Sequence, residues 1–157
     1  MCKAIIIMGS KSDLDWSKKI EKSLEIFGIE SALRIASAHK VPLRCNDIIK
    51  EYEKENVVFI TVAGRSNALS GFADAQTHCP VIACPPYSEK FGGTDIYSSL
   101  RMPSGVAPMV VTEAENAALA VAKIFGLTDG VIRKNVLDYQ NKMREILYKD
   151  DKELKDG

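Results

Sequence analysis

The chain has 157 residues, 46% of them apolar, with 21 basic and 21 acidic side chains. That length suits one domain with one core, and 1–157 is read as a single unit. The neutral balance supplies no field to draw a polyanion or an anionic membrane surface, so neither nucleic acid nor membrane is an expected partner.

The longest apolar runs, Ala4 to Met8 and Val57 to Ala63, fall far short of the ~20 residues that a membrane helix needs. Met1-Cys2-Lys3 leads straight into a strand-like run without the pattern of a secretory signal, and a cytoplasmic location is expected. Cys2, Cys45, Cys79 and Cys84 lack paired C-x-x-C spacing and read as reduced thiols, with Cys79 and Cys84 as small buried hydrophobes. No metal site is expected.

Ala4 to Met8 is a continuous apolar run, as expected of a strand covered on both faces. Gly9 to Asp13 breaks it with turn and capping residues, and Asp13 opens a helix to about Phe27, stopped by Gly28. Ser31 to Ala36 reads as the second strand, Ser37 to Lys40 as a loop, and the next helix carries Pro42 in its first turn. Val57 to Ala63 is β-branched and apolar, Gly64 to Asn67 is its loop, and a short helix follows over about Leu69 to Ala75.

Val81 to Cys84 predicts a fourth strand, Pro85-Pro86-Tyr87 leaves regular structure, and Ile96 to Leu100 predicts a short helix. Met109 to Thr112 is the fifth strand and Glu113 to Phe125 an alanine-rich helix ended by Gly126. Strands alternating with helices predict an α/β fold, a three-layer α/β/α sandwich around a central parallel sheet. Residues 131–157 read as an appended C-terminal helix and tail. Its apolar stripe of Ile132, Val136, Tyr139, Met143 and Leu147 covers either its own sheet or a neighbouring subunit, and the charged Lys149 to Gly157 is expected to fray.

Open parallel sheets bind ligands at the carboxyl ends of their strands, beside helix N-termini. Three such ends carry Gly9-Ser10-Lys11-Ser12-Asp13, Ser37-Ala38-His39-Lys40 and Gly64-Arg65-Ser66-Asn67. Hydroxyls, backbone N–H groups and Lys40 or Arg65 suit a phosphate, and the Asp13 carboxylate suits ribose hydroxyls. Neither G-x-G-x-x-G nor G-x-x-x-x-G-K-[ST] occurs, which disfavours dinucleotides and nucleoside triphosphates. Capping alone accounts for Ser10, Ser12 and Asp13 about as well as binding does. His39, at a strand's carboxyl end, is the candidate for proton transfer. His78, ahead of the fourth strand at the sheet's amino end, reads as structural, and Trp16 and Phe91 read as packing aromatics.

Together with Asp95 to Gly105, these loops resemble the aminoimidazole ribonucleotide carboxylase and carboxyaminoimidazole ribonucleotide mutase family. Gly9-Ser10-x-Ser12-Asp13, Ser37-Ala38-His39 and Met102-Pro103-x-Gly105 match both branches over nearly the whole chain. The mutase branch resembles A-G-G/A-A-A-H-L-P-G in the third loop, where this chain has Ala63-Gly64-Arg65-Ser66-Asn67-Ala68-Leu69-Ser70-Gly71. Ala68 in place of that histidine, Lys40 where mutases usually have arginine, and the run Ser98 to Pro103 look like the direct, carbon dioxide-using carboxylase branch. Val41 before Pro42 departs from relatives that carry a capping residue there.

The resemblance implies reversible carboxylation of carbon 4 of aminoimidazole ribonucleotide in purine biosynthesis, with no cofactor: no ATP, biotin or metal. It implies His39 as the proton-transfer group. Ser10, Ser12, Asp13, Ser37 and Lys40 would hold the ribose phosphate, Gly64, Arg65 and Ser66 the carbon dioxide or product carboxylate, and Ala38 and Met102 would also meet substrate. It further implies a homo-octamer with sites at subunit contacts. The rivals are the mutase and, from another class, a flavodoxin-like binding or signalling module. A phosphoacceptor module needs an aspartate at the third strand's end, where this chain has Ala63-Gly64.

Overall fold

A computed structural model describes residues 2–156. Five strands, β1 (Lys3–Met8), β2 (Glu30–Ile35), β3 (Val57–Val62), β4 (Val81–Ala83) and β5 (Met109–Val110), form one all-parallel sheet in the order β2-β1-β3-β4-β5. This is the flavodoxin-like order of a doubly wound sheet. The crossover direction reverses between β1 and β3, and a crevice opens there at the strands' carboxyl ends.

The register sets the level of that crevice. Met8 lies beside Ile35 on one side and Val62 on the other, so the first three strands end together. Gly9 N–H donates to Val62 O and Ala36 N–H to Met8 O, both at 2.9 Å, which extends the pairing into the loops.

Alternation along the strands feeds two cores. Ile6, Met8, Ile60 and Ile82 face helices α1 (Leu14–Glu25) and α5 (Ala114–Phe125), against Ile20, Leu24 and Val121. Ile5, Ile7, Phe59 and Val81 face α2 (Pro42–Tyr52) and α3 (Ala68–Ala75), against Ile48, Ile49 and Leu69. A strand buried on both faces cannot alternate polar with apolar residues, which is why Ala4 to Met8 reads as one unbroken run. Pro42 sits in the first turn of α2 as predicted. Val41 caps that helix with no side-chain hydrogen bond, the weak point its identity implies.

The segment Ile96 to Leu100 divides into a 3-10 turn over Thr94–Ile96 and the single-turn α4 (Tyr97–Leu100). The C-terminal helix α6 runs over Gly130–Asp156. The predicted fraying is therefore corrected for every described residue of the tail. Lys149 pairs with Glu153 at 3.7 Å and Lys155 with Asp151 at 2.6 Å, each four apart. Such pairs add about 0.2–0.5 kcal/mol each to residues that already favour helix.

The question of what the α6 stripe covers has a divided answer. Ile132 and Val136, 5% and 7% exposed, join the α1/α5 core, and Tyr139 meets Phe27 edge to face at 5.3 Å. Past that point Met143, Ile146, Leu147 and Tyr148 stand in solvent. No helix among the described residues is long and apolar enough to cross a membrane.

Candidate active site

The carboxyl ends of β1 to β4 surround an open cleft of about 650 Å³, within the ~300–1,000 Å³ typical of small-molecule sites. All three loops singled out in the sequence reach it.

In the first loop Ser10 is extended and folds back on Asp13. Its N–H and its hydroxyl donate to Asp13 Oδ2 at 2.9 and 3.1 Å, and Ser10 Oγ lies 2.6 Å from Ser12 Oγ. Capping and ligand presentation coincide: the contacts that start the 3-10 turn at Lys11–Asp13 also hold two hydroxyls and a carboxylate on the cleft wall. Gly9 sits at a close approach. A Cβ there would lie 3.3 Å from the Ala63 Cβ of the third loop.

The second loop turns on Ser37, whose carbonyl accepts from Val41 N–H at 2.9 Å and whose hydroxyl accepts from Lys40 N–H at 3.3 Å. This tight turn presents Ala38, His39 and Lys40 to the cleft, with His39 and Lys40 exposed. In the third loop Gly64, Arg65 and Ser66 line the opposite wall. Arg65 has φ 60°, and a non-glycine residue in that region costs about 1–3 kcal/mol. Asn67 then caps α3, its side-chain oxygen accepting from Ser70 N–H at 3.4 Å.

Lys40 and Arg65 give the cleft a cationic character, balanced by Asp13 alone among the three loops. No thiol competes as a nucleophile. Cys84 directly follows β4 behind the cleft, and burial pushes its thiol up to about 12; burial pushes Cys45 up to about 11. Cys79 is likewise buried, as the sequence predicts. Among the described residues no group of three or more His, Cys, Asp or Glu is placed to hold a metal ion.

Met102 lies outside the cleft within this chain. Its thioether packs on α3, where a Cβ on Gly71 would come within 2.9 Å of the sulfur. His78 is exposed at the amino end of β4, away from the cleft, and Trp16 packs on the core, its Nε1 donating to Cys84 O at 3.1 Å.

Phe91 is a correction. It lines the cleft with Pro86, Tyr87, Ser88 and Lys90 from the loop after β4, rather than packing in a core. Nothing periodic marks that segment in the sequence. The signal for it is positional, since it follows a parallel strand at the same sheet end as the other three loops.

An open cleft at the switch point of a doubly wound sheet defines an α/β protein that takes a small ligand at its strand ends. The family model described as AIR carboxylase matches residues 3–146, and the chain belongs to that family. It is 68% identical over 153 residues to a phosphoribosylaminoimidazole carboxylase of Archaeoglobus fulgidus, covering 98% of this chain and 85% of the relative. It is 50% identical to the phosphoribosylaminoimidazole carboxylase of Treponema denticola, covering 96% of each. The crystal structure of Treponema denticola PurE superposes with a TM-score of 0.96 at 48% identity, covering 99% of both chains.

Proposed function

We propose that the cleft carries out the reversible, ATP-independent carboxylation of carbon 4 of 5-aminoimidazole ribonucleotide, giving 4-carboxy-5-aminoimidazole ribonucleotide for purine biosynthesis. The observation that carries this reading is the convergence of the Ser10–Asp13, Ser37–Lys40 and Gly64–Ser66 loops on one cleft in a chain of the AIR carboxylase family.

The chemistry needs little from the protein beyond placement and one proton carrier. The amino group makes carbon 4 of the ring electron-rich, so the ring is the nucleophile. Its electron pair forms the bond to the carbon of carbon dioxide, and one C=O π pair moves onto oxygen as carboxylate. Carbon 4 then carries both hydrogen and carboxylate. His39 accepts that proton, the C–H pair returns to the ring, and aromaticity is restored. In reverse, His39 delivers the proton to carbon 4 and carbon dioxide leaves.

Ser10, Ser12, Asp13, Ser37 and Lys40 bind the ribose phosphate, with the Asp13 carboxylate directed to ribose hydroxyls and Lys40 to phosphate. Ala38 shapes the wall beside His39. Gly64, Arg65 and Ser66 hold carbon dioxide and then the carboxylate, and the guanidinium favours the charge that develops on it. The place of Met102 in the substrate site rests on the family resemblance. No cofactor is called for, because the substrate supplies the nucleophile and carbon dioxide is already electrophilic.

The mutase reading is disfavoured by the third loop. Ala68, the first residue of α3, stands where the mutase branch has histidine. The chain's other histidine, His78, lies at the opposite end of the sheet. The functional assembly is a homo-octamer in the cytoplasm, as the family resemblance implies; the apolar residues that α6 leaves in solvent support contact between subunits.

The test offers purified protein either aminoimidazole ribonucleotide with bicarbonate and dissolved carbon dioxide, or the N-carboxylated amine. Turnover of the first pair is the expected result. Efficient turnover of the carboxylated amine alone would assign the mutase reaction instead.

A further inference from the structure

Arg65 is the one non-glycine residue with positive φ among the described residues, and it is held there from outside the cleft. Its N–H donates to Asp95 Oδ2 at 3.2 Å and its carbonyl accepts from Ser98 Oγ at 3.3 Å, so both of its backbone polar groups are tied to one distant segment. That segment is anchored in turn. Ser98 Oγ donates to Asp95 O at 2.7 Å, sharing its one hydrogen with the longer contact to Arg65 O, and accepts from Asn67 N–H at 2.9 Å, while Asn67 Nδ2 donates to Ser99 Oγ at 2.8 Å in a buried pair.

A side-chain-bearing residue stays in a left-handed conformation only where its surroundings over-determine it. These bonds are that determination. The half-buried Asp95 carboxylate spends itself on the backbone amide, and Arg65 forms no ion pair among the described residues. Neither Asp95 nor Ser98 lines the cleft, whereas Arg65 and Ser66 do. A tie serving only to staple the loop would need no strained residue at its centre.

We propose that Asp95 is a positioning residue: through the Arg65 amide it maintains the left-handed turn that presents Arg65 and Ser66 to the carboxylate of the reacting ligand. The proposal rests on the reading above that Arg65 holds carbon dioxide or the product carboxylate.

A double-mutant cycle tests it, with kcat and KM measured in both reaction directions and the thermal midpoint recorded for each variant. Asp95→Ala is expected to lower kcat about 10- to 100-fold, with KM for aminoimidazole ribonucleotide nearly unchanged, because the turn and not the ribose phosphate site is loosened. Asp95→Asn keeps an acceptor for the Arg65 amide and is expected to stay within about threefold of the parent protein. In an Arg65→Ala background, Asp95→Ala is expected to add almost nothing, since residues acting through one another are not additive. Ser98→Ala removes the hydroxyl that meets the Arg65 carbonyl, the Asp95 carbonyl and the Asn67 amide while leaving the Asp95 carboxylate in place, and provides a second break should Asp95→Ala fold poorly; a loss confined to kcat is expected.

Parent-like kinetics in Asp95→Ala, or in Ser98→Ala where Asp95→Ala does not fold, would overturn the positioning role, and so would losses that add fully to those of Arg65→Ala. Parent-like kinetics in Arg65→Ala would instead overturn the assignment of Arg65, and the positioning role would fall with it.

Discussion

The Cβ that Gly9 lacks would lie 3.3 Å from the Cβ of Ala63, so the first and third loops meet at a contact tighter than two ordinary side chains make. Gly9 N–H donates to Val62 O at 2.9 Å in the same place. The walls proposed for the ribose phosphate and for the carboxylate are thus fixed against each other at a glycine–alanine contact.

Gly9→Ala forces that contact apart by a few tenths of an ångström. Overpacking of this kind costs about 1–3 kcal/mol. The displacement lies between two halves of one site, so kcat/KM is expected to fall about tenfold or more while the fold persists. Adding Ala63→Gly removes the opposing Cβ and should restore most of the lost activity. A double variant no better than Gly9→Ala would show that the contact does not set the spacing.

His39→Asn keeps a polar side chain of similar reach on the same tight turn, and His39 is exposed rather than part of either core. The fold and the affinity for carboxyaminoimidazole ribonucleotide, measured by calorimetry, should therefore change little. Turnover in both directions should fall about 10²–10⁴-fold, the usual effect of losing an acid/base group. Near-parental turnover would remove His39 from the proton-transfer step.

Buried thiols predict how stability responds to alkali. Burial raises Cys84 from 9.0 to about 12 and Cys45 from 9.0 to about 11. Above pH 9 the unfolded chain releases these protons while the folded chain retains them, so stability declines as pH rises from 9 through 11 to 12. The slope is at most about 1.4 kcal/mol per pH unit for each thiol. Cys45→Ala should flatten the slope of urea-unfolding free energy between pH 9 and 10.5, whatever it does to stability at pH 7. An unchanged slope would mean that Cys45 is not held neutral by the fold. At pH 8, alkylation by iodoacetamide should reach the half-buried Cys2 well before the three buried thiols.

Local signals were enough for the sheet and for three walls of the cleft. Ile5, Ile6 and Ile7 are all fully buried because helices cover both faces of β1, and the apolar run reports that directly. Ser10, Ser37 and Gly64 each follow a strand at one sheet end, where chain order alone brings them together. The fourth wall escapes because Tyr87 to Phe91 has no period and only a single 3-10 turn between Ser88 and Gly92; only the position of β4 in the sheet brings it to the cleft. The Asp95–Arg65 tie spans 30 residues between two loops, and no local pattern encodes it. The tail departs from its expected fraying for a different reason. Lys149 to Asp156 is exposed and charged, but exposure measures what a helix packs against and not whether its own hydrogen bonds form.

The divided stripe of α6 allows its two roles to be separated. Deleting everything after Gly130 would strip Ile132 and Val136 from the core, part Tyr139 from Phe27, and remove the Asn135 Nδ2 bond to Phe27 O at 3.1 Å. Losses of this kind exceed about 2 kcal/mol, so a smaller assembly in that variant could reflect a damaged subunit. Ending the chain at Asn141 leaves those contacts intact, and the only apolar side chains it removes are Met143, Ile146, Leu147, Tyr148 and Leu154, of which Leu147 and Leu154 are 67% and 85% exposed. If these side chains lie at contacts between subunits, light scattering should give a mass well below eight chains for this variant, while its thermal unfolding remains cooperative. An undiminished octamer would place the assembly contacts elsewhere on the molecule, and a parent protein that scatters as a monomer would overturn the octameric reading itself.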